Sequence, residues 1–120
     1  MRSRIPVEIE DDIACVGGVP GLSRRLPPRK TLERVASLHG VLSDPVRLRL
    51  LLVLLERRLC VCVLKRIVSC QDTRLSYHLS ILKRVGLVDS ERDRSYLHYF
   101  LTADGKAVAN AIMAETATSR

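Results

Sequence analysis

The sequence predicts a mainly α-helical domain with a small β-hairpin, and three observations support this fold class. Between residues 59 and 88, two segments with helical spacing of apolar residues are separated by a short polar turn. Before them, residues 45–57 form an almost wholly apolar segment, which is typical of a buried helix. After them, residues 87–92 and 95–101 lie on either side of Asp93-Arg94, as the two strands of a hairpin do.

Residues 1–28 predict a flexible arm outside the folded domain. They contain Gly-Gly, Pro-Gly and Pro-Pro pairs, which are loop signals, and an acidic cluster followed by a basic one. A short apolar island around Cys15, residues 13–16, is able to dock on the body of the protein. A basic patch precedes the first predicted helix and is either a solvated charge run or a contact to phosphates. It consists of Arg24, Arg25, Arg29 and Lys30.

Residues 29–115 predict one folded domain, and residues 116–120 predict a frayed tail. A chain of 120 residues has the size of one small domain, which gains from extra burial in a dimer. The first helix covers residues 29–42, and the last helix begins after its cap, Thr102. Ser43-Asp44-Pro45 is a strong helix start, because a capping residue is followed by an acid and by proline in the first turn.

The two helical segments have the pattern of a DNA-reading helix-turn-helix. Either Gln71 or Asp72 caps the second helix, Asp72 being the stronger capping type, and Gly86 ends it. The apolar face of this helix carries Leu75, Leu79, Leu82 and Val85. Its other face is polar and basic, with Thr73, Arg74, Ser76, Tyr77, Ser80, Lys83 and Arg84. The hairpin tip bears Arg92 and Arg94, which fits a wing that touches the DNA backbone.

Charge and composition favour a nucleic-acid partner and argue against several other classes. The formal net charge is +7 and the pI is about 9.7, which is typical of a domain with a polyanionic partner. Aromatic residues make up only 3%, which argues against base-stacking RNA or single-strand platforms. Because no secretory leader and no membrane-spanning run is recognisable, we expect a cytoplasmic protein with reduced thiols. We find no nucleophile–base–carboxylate set and no phosphate loop, so we do not expect an enzyme.

Cys60-Val61-Cys62 is the sharpest chemical signal in the chain. Thiolates bind soft, thiophilic ions, and an intracellular Cys-x-Cys pair is more often a metal or redox site than a structural disulfide. Residues two apart point roughly 200° apart around a regular helix, so the two sulfurs converge only where the backbone is extended or a helix begins. The alternative is that both are small buried hydrophobic residues, as free cysteines often are.

The third ligand is the open question of this site. An ion such as As(III) or Sb(III) requires three thiolates, whereas Cd(II) or Pb(II) accepts three or four. Cys70 would lie ~15 Å from Cys60 along an intact helix, which is too far for one site within a subunit, and we interpret it as a core residue. Cys15 is better placed in principle, because it lies on an arm that can reach the pair.

Four segments together resemble the arsenic-repressor (ArsR/SmtB) family of metal-responsive winged-helix repressors. They are LSDPVRLRLL at 42–51, RLCVCVL at 58–64, SYHL at 76–79 and GLVDSERDRSYLHYFLT at 86–102. The resemblance implies a homodimer formed by the first and last helices. It places His78 on the recognition helix, where it contacts the DNA backbone or makes a structural hydrogen bond. In the cadmium- and lead-sensing branch that this pattern resembles, a ligand such as Cys15 comes from the other subunit.

The chain departs from the family pattern in three places. Val63 stands where the family usually has Asp after the second cysteine, and Lys65 stands where some arsenic sensors have a third cysteine. The last helix lacks the histidines and the ligand spacing of zinc sensors, which argues against zinc at that helix. We expect His39 and His98 to be structural.

Taken together, these features predict a homodimeric DNA-binding repressor. Its inducer would be As(III) or Sb(III) first and Cd(II) or Pb(II) next, with no small-molecule substrate. The expected metal ligands are Cys60, Cys62 and Cys15. The expected DNA contacts are Thr73, Arg74, Ser76, Tyr77, His78, Lys83, Arg92 and Arg94. The alternative is a repressor that responds to thiol oxidation or persulfides, and a metal-buffering protein is less favoured.

Overall fold

In the computed structural model, which describes residues 4–118, the chain forms two compact units divided after Ala36. The N-terminal unit contains α1 (Val7–Ile13), a 3₁₀ turn (Ala14–Val16), α2 (Gly18–Arg24) and the first part of α3 (Arg29–Val41). The C-terminal unit contains the end of α3 and all later elements.

Residues 4–28 contain helices where the sequence indicated loops, residues 1–3 lie outside the described part, and the flexible arm of residues 1–28 stays a prediction. Two of the glycines here lie at the start of α2 and one lies inside it, so they do not form a loop. Gly17 has a φ of +89° and ends the 3₁₀ turn, a conformation that glycine adopts at low cost. Gly21 is buried in α2, and a Cβ at this position would overlap the carbonyl group of Val16.

The C-terminal unit confirms the predicted fold class, a winged helix-turn-helix. After α3 come α4 (Pro45–Leu54), β1 (Leu59–Cys60), α5 (Val61–Val68), α6 (Asp72–Arg84), β2 (Val88–Asp93), β3 (Tyr96–Leu101) and α7 (Ala103–Thr118). The strands form an antiparallel sheet in the order β1–β3–β2. The sequence did not predict β1. Helix α4 ends earlier than expected, and α7 continues into the predicted tail, whose residues 119–120 lie outside the described part.

Helix α4 is the centre of the core, as its apolar sequence predicted. Leu50 and Leu51 are fully buried and Leu54 is nearly so. They belong to one cluster with the inward leucines of α6, namely Leu75, Leu79 and Leu82. Burial of each such side chain contributes about 1.5–3 kcal/mol, so this cluster fixes α6 on α4. Among residues 4–118, no helix combines the length and the apolar character that crossing a membrane requires.

Short polar contacts set the ends of the helices around the turn. Asp44, not Ser43, caps α4, because its carboxylate accepts a hydrogen bond from the backbone N–H of Val46 at 2.8 Å. Gln71 occupies the N-cap position of α6, while Asp72 forms an ion pair with Lys65 of α5 at 2.6 Å. This ion pair is well exposed and therefore orients the turn more than it stabilises it.

His78 connects α6 to α4 and does not face outward. Its side chain is only 3% exposed, and its Nδ1 accepts a hydrogen bond from Nε of Arg47 at 3.1 Å. Arg47 also donates to the carbonyl group of Val41 at 3.1 Å. The expected DNA contact of His78 is therefore wrong, and the structural hydrogen bond expected as its alternative is confirmed. Because Nδ1 accepts, the neutral ring carries its proton on Nε2, which is buried and meets no acceptor among residues 4–118.

This burial predicts a pH-dependent stability. Desolvation, partly offset by the Asp44 carboxylate and reinforced by the charges of Arg47 and Arg74, lowers the pKa of His78 below 6.5. The unfolded chain then takes up a proton that the folded chain does not. We expect the free energy of unfolding to fall as the pH drops from ~6.5 toward the lower folded pKa, and this residue to have no effect above that window.

Urea denaturation at pH ~7.5 and ~5.5 measures this change. His78→Gln is the matched control, since its amide oxygen accepts from Arg47 but does not titrate. The same loss of stability in both proteins would show that His78 is not its source.

Candidate functional site

The two cysteines of the Cys-Val-Cys segment converge at the junction of β1 and α5. Cys60 is the last residue of β1 and the N-cap of α5, with an extended backbone (φ −68°, ψ 148°), and Cys62 lies in the first turn of α5. Their sulfurs are 2.8 Å apart, and both are free thiols. This geometry confirms the prediction that an extended backbone at a helix start allows the sulfurs to meet.

The two thiols differ in acidity because one donates a hydrogen bond to the other. The hydrogen bond from the Cys62 thiol, followed by the backbone N–H groups of Cys62 and Val63, lowers the pKa of Cys60. Donation to Cys60 and desolvation raise the pKa of Cys62. The Cys60 thiol therefore loses its proton more readily than the Cys62 thiol, and the thiolate is the form that binds metal ions and reacts with electrophiles.

The donor chemistry of this pair fits a thiophilic ion. With a metal–sulfur distance of about 2.3 Å and tetrahedral geometry, two thiolates sit ~3.8 Å apart, so binding requires the sulfurs to separate by ~1 Å. Cys62 is exposed, which leaves its side chain free to move. Among residues 4–118, no three His, Cys, Asp or Glu side chains are already gathered around a metal position. The thiol pair is thus a partial ligand set that further donors must complete.

The other two cysteines lie in different surroundings. Cys70 is half-buried and packs against the hydrophobic core, in agreement with its predicted core position. Cys15 is exposed in the N-terminal unit, where its Sγ lies 3.9 Å from the carbonyl oxygen of Asp12. Its role as a third ligand stays a prediction.

An open cavity of about 470 Å³ lies beside Cys60. Its lining consists of Arg57, Arg58, Leu59, Cys60, Val63, Asp93 and His98. Sequence reasoning missed the two arginines and His98 as neighbours of the cysteine. His98 lies beside Cys60 because β1 pairs with β3. A strand of two residues has no recognisable period, so this pairing could not be predicted from the sequence.

The outward face of α6 carries the remaining predicted DNA contacts of this helix. Thr73, Arg74, Ser76 and Tyr77 are all exposed. The guanidinium carbon of Arg47 lies 5.9 Å from the centre of the Tyr77 ring, a cation–π arrangement that orients the ring.

The predicted basic residues at the hairpin are exposed, and a polar contact connects the hairpin to α6. Arg92 and Arg94 are exposed, and Arg94 adopts a positive φ of 59° at the tip. Nζ of Lys83 lies 2.8 Å from the Ser90 hydroxyl and 3.9 Å from the Asp89 carboxylate. Lys83 therefore connects α6 to β2. The sequence predicted only a DNA contact for Lys83.

Comparison with known proteins supports the winged helix-turn-helix fold described above. Residues 44–90 match the family described as bacterial regulatory protein, arsR family. The cadmium resistance transcriptional regulatory protein CadC of Listeria innocua is 37% identical over 68 residues, which cover 56% of this chain and 57% of that protein. This chain therefore matches only a little over half the length of the CadC relative.

Two further similarities extend over most of the compared proteins. The biofilm growth-associated repressor of Xylella fastidiosa is 33% identical over 95 residues, covering 78% of this chain and 82% of that protein. The crystal structure of the transcriptional repressor BigR from Xylella fastidiosa is 30% identical, with a TM-score of 0.66, and covers 76% of this chain and 91% of that one. Because the winged helix-turn-helix fold, the family match and these near full-length similarities agree, the chain belongs to the ArsR family of bacterial regulatory proteins.

Proposed function

We propose that this protein is a homodimeric, cytoplasmic transcriptional repressor that releases its operator when Cys60 and Cys62 bind a thiophilic metalloid or heavy-metal ion. The observation that carries the proposal is the convergence of these two thiols at the start of the helix-turn-helix, with their sulfurs 2.8 Å apart. A ligand held there contacts the element that leads directly to the recognition helix.

The ion belongs to the class that soft sulfur donors select. As(III) and Sb(III) are candidates if Cys15 completes a set of three thiolates, and Cd(II) and Pb(II) are candidates with three or four ligands. The CadC relatives are cadmium resistance transcriptional regulatory proteins, which supports testing Cd(II) alongside As(III) and Sb(III). Val63, which is 41% exposed beside Cys60, offers no carboxylate to the site.

The DNA interface follows from the exposed side chains of α6 and the hairpin. The outward face of α6 enters the major groove, while Arg92 and Arg94 approach the flanking backbone. The net charge of +7 supports binding to a polyanion.

The dimer is proposed to form through α3 and α7, the first and last helices of the winged domain. An apolar groove of about 310 Å³ lies between the end of α3, α4 and α7, and a second copy would cover it. Its apolar lining includes Leu38, Leu42, Leu48, Val108 and Ile112. A two-fold dimer places two recognition helices about one turn of DNA apart, so the operator has two related half-sites.

Release is a linkage effect. If the thiols bind the ion more tightly in the DNA-free dimer than in the complex, the ion weakens DNA binding by the same factor. The second candidate function, a thiol redox or persulfide switch, is favoured by the contact between the two free thiols at 2.8 Å.

The first prediction concerns the ion. Under reducing conditions, As(III), Sb(III), Cd(II) or Pb(II) should release the wild-type protein from an operator duplex, with a loss of affinity of ~5- to 150-fold, the usual range of allosteric coupling. Cys60→Ser and Cys62→Ser should keep DNA binding and lose this response, because a hydroxyl is a poor ligand for soft ions. Fluorescence anisotropy measures both properties.

Cys70→Ser is the matched control, since it removes a thiol that packs against the core, and Cys15→Ser tests the proposed third thiolate. Operator affinity that stays constant in saturating concentrations of every ion would contradict the proposal. Release by an oxidant or a polysulfide alone would instead support the redox alternative.

A second prediction concerns DNA. Arg74→Ala should weaken operator binding by about 1–3 kcal/mol if the guanidinium contacts a base edge, with little change on unrelated duplex DNA. If it contacts a phosphate, both duplexes should lose affinity alike and the salt dependence should fall by about one counterion.

Lys106→Ala, an exposed charge deletion on α7, is the control for the change in net charge. Unchanged binding of both duplexes by Arg74→Ala would remove this residue from the interface.

A further inference from the structure

We propose, building on the function proposed above, that His98 donates an imidazole nitrogen to the ion held by Cys60 and Cys62. The site then takes a divalent ion that accepts both sulfur and nitrogen ligands, such as Cd(II) or Zn(II), in preference to an ion that needs sulfur alone. His98 thereby becomes a specificity-determining residue on the wing.

The first support is the strand register. In the antiparallel sheet, Cys60 of β1 is directly opposite His98 of β3, and His98 is directly opposite Glu91 of β2. Residues that face each other across antiparallel strands project from the same face, with Cβ atoms ~4.5–5.5 Å apart. The other face of the hairpin carries the buried side chains of Val88 and Leu101, so the row that contains Cys60 and His98 faces away from the core.

The second support is the surroundings of the His98 ring. The ring is half-buried and lines the cavity that Cys60 also lines. Within residues 4–118 it takes part in no hydrogen bond or ion pair, so both ring nitrogens are available to an added ligand. A metal–nitrogen distance of about 2.0–2.1 Å and a metal–sulfur distance of about 2.3 Å lie within the reach of side chains at this separation.

The site must assemble as the ion binds, because no three-ligand cluster is preformed among the described residues. Assembly requires two movements: the thiols separate by ~1 Å, and the ring turns toward Cys60 within the open cavity. Both movements involve side chains and leave the register of β1 and β3 intact.

The charges around the cavity are compatible with a divalent cation. Arg57 and Arg58 line the cavity and disfavour an isolated cation, but Arg58 already pairs with Glu91 at 3.4 Å. Two thiolates balance the charge of a divalent ion, and their protons leave on binding. The neutral imidazole then adds a donor without adding charge.

The consequence is a direct bond between the effector site and the wing. Cys60 precedes α5, whereas His98 lies in β3, which pairs along its length with the hairpin strand β2. If Cys60 and His98 both bind the ion, the ion holds the start of the helix-turn-helix to the wing. A site that consists only of thiolates would not make this connection.

The test uses the full chain and Cd(II) alone, with His98→Phe as the variant, because phenylalanine retains a β-compatible ring but has no lone pair. We expect Cd(II) affinity to fall by at least ~10-fold, the loss that is common even when a group that only supports a ligand is removed. Tyr96→Phe is the matched control, since Tyr96 is an exposed aromatic residue of the same strand outside this cavity. Heteronuclear NMR of the imidazole nitrogens gives a second readout, in which only the His98 signals shift strongly with Cd(II).

The outcomes separate the two proposals. Weaker Cd(II) binding by His98→Phe, with wild-type circular dichroism and unshifted His39 signals, supports the nitrogen ligand. Wild-type Cd(II) affinity of His98→Phe, together with loss of binding by Cys60→Ser, overturns the His98 proposal and leaves the thiol site intact. Wild-type Cd(II) affinity of the Cys60→Ser/Cys62→Ser protein overturns both.

Discussion

The antiparallel pairing of β1 with β3 is the contact on which the arrangement of the C-terminal unit depends. It consists of only two residue pairs, Leu59 with Tyr99 and Cys60 with His98. Because α5 begins directly after Cys60, this pairing sets where the helix-turn-helix starts relative to the hairpin. The hydrogen bond from Lys83 of α6 to Ser90 of β2 also connects α6 to the hairpin. The thiol pair, the recognition helix and the wing therefore share one framework of short polar contacts over a leucine core.

The elements with a strong period were predictable from the sequence. The leucines of α4 and α6 recur where a buried helix requires them, and the hairpin strands differ from their predicted bounds by only a residue or so at each end. Gly86 ends α6 as expected, since its φ of +81° is a conformation that favours glycine. These signals are local, so they can be recognised in the sequence without knowledge of the tertiary structure.

The sequence was less informative where a contact joins distant parts of the chain, or where one residue type occurs in two kinds of structure. The N-terminal glycines and prolines were interpreted as loop signals, but most of them border short helices, and Pro20 and Gly21 lie within α2. His78 lies three residues after Leu75 and four before Leu82, on the same helical stripe, so its burial was within reach of the periodicity. The family resemblance instead offered two roles for His78, a DNA contact and a structural hydrogen bond. Cys60 lies next to His98 because β1 pairs with β3, and β1 is too short to recognise in the sequence.

Nε2–H of His78, which meets no acceptor within residues 4–118, has a consequence for how firmly α6 is held. A buried donor without an acceptor costs about 1–3 kcal/mol, a substantial share of the ~5–15 kcal/mol that stabilises a typical domain. Local opening of the contact between α4 and α6 admits water to this nitrogen and recovers part of that cost. The recognition helix is thus attached by a tightly packed leucine face that contains one built-in weak point. Separating α6 from α4 at this point therefore costs less free energy than it would if Nε2–H had an acceptor in the packed state.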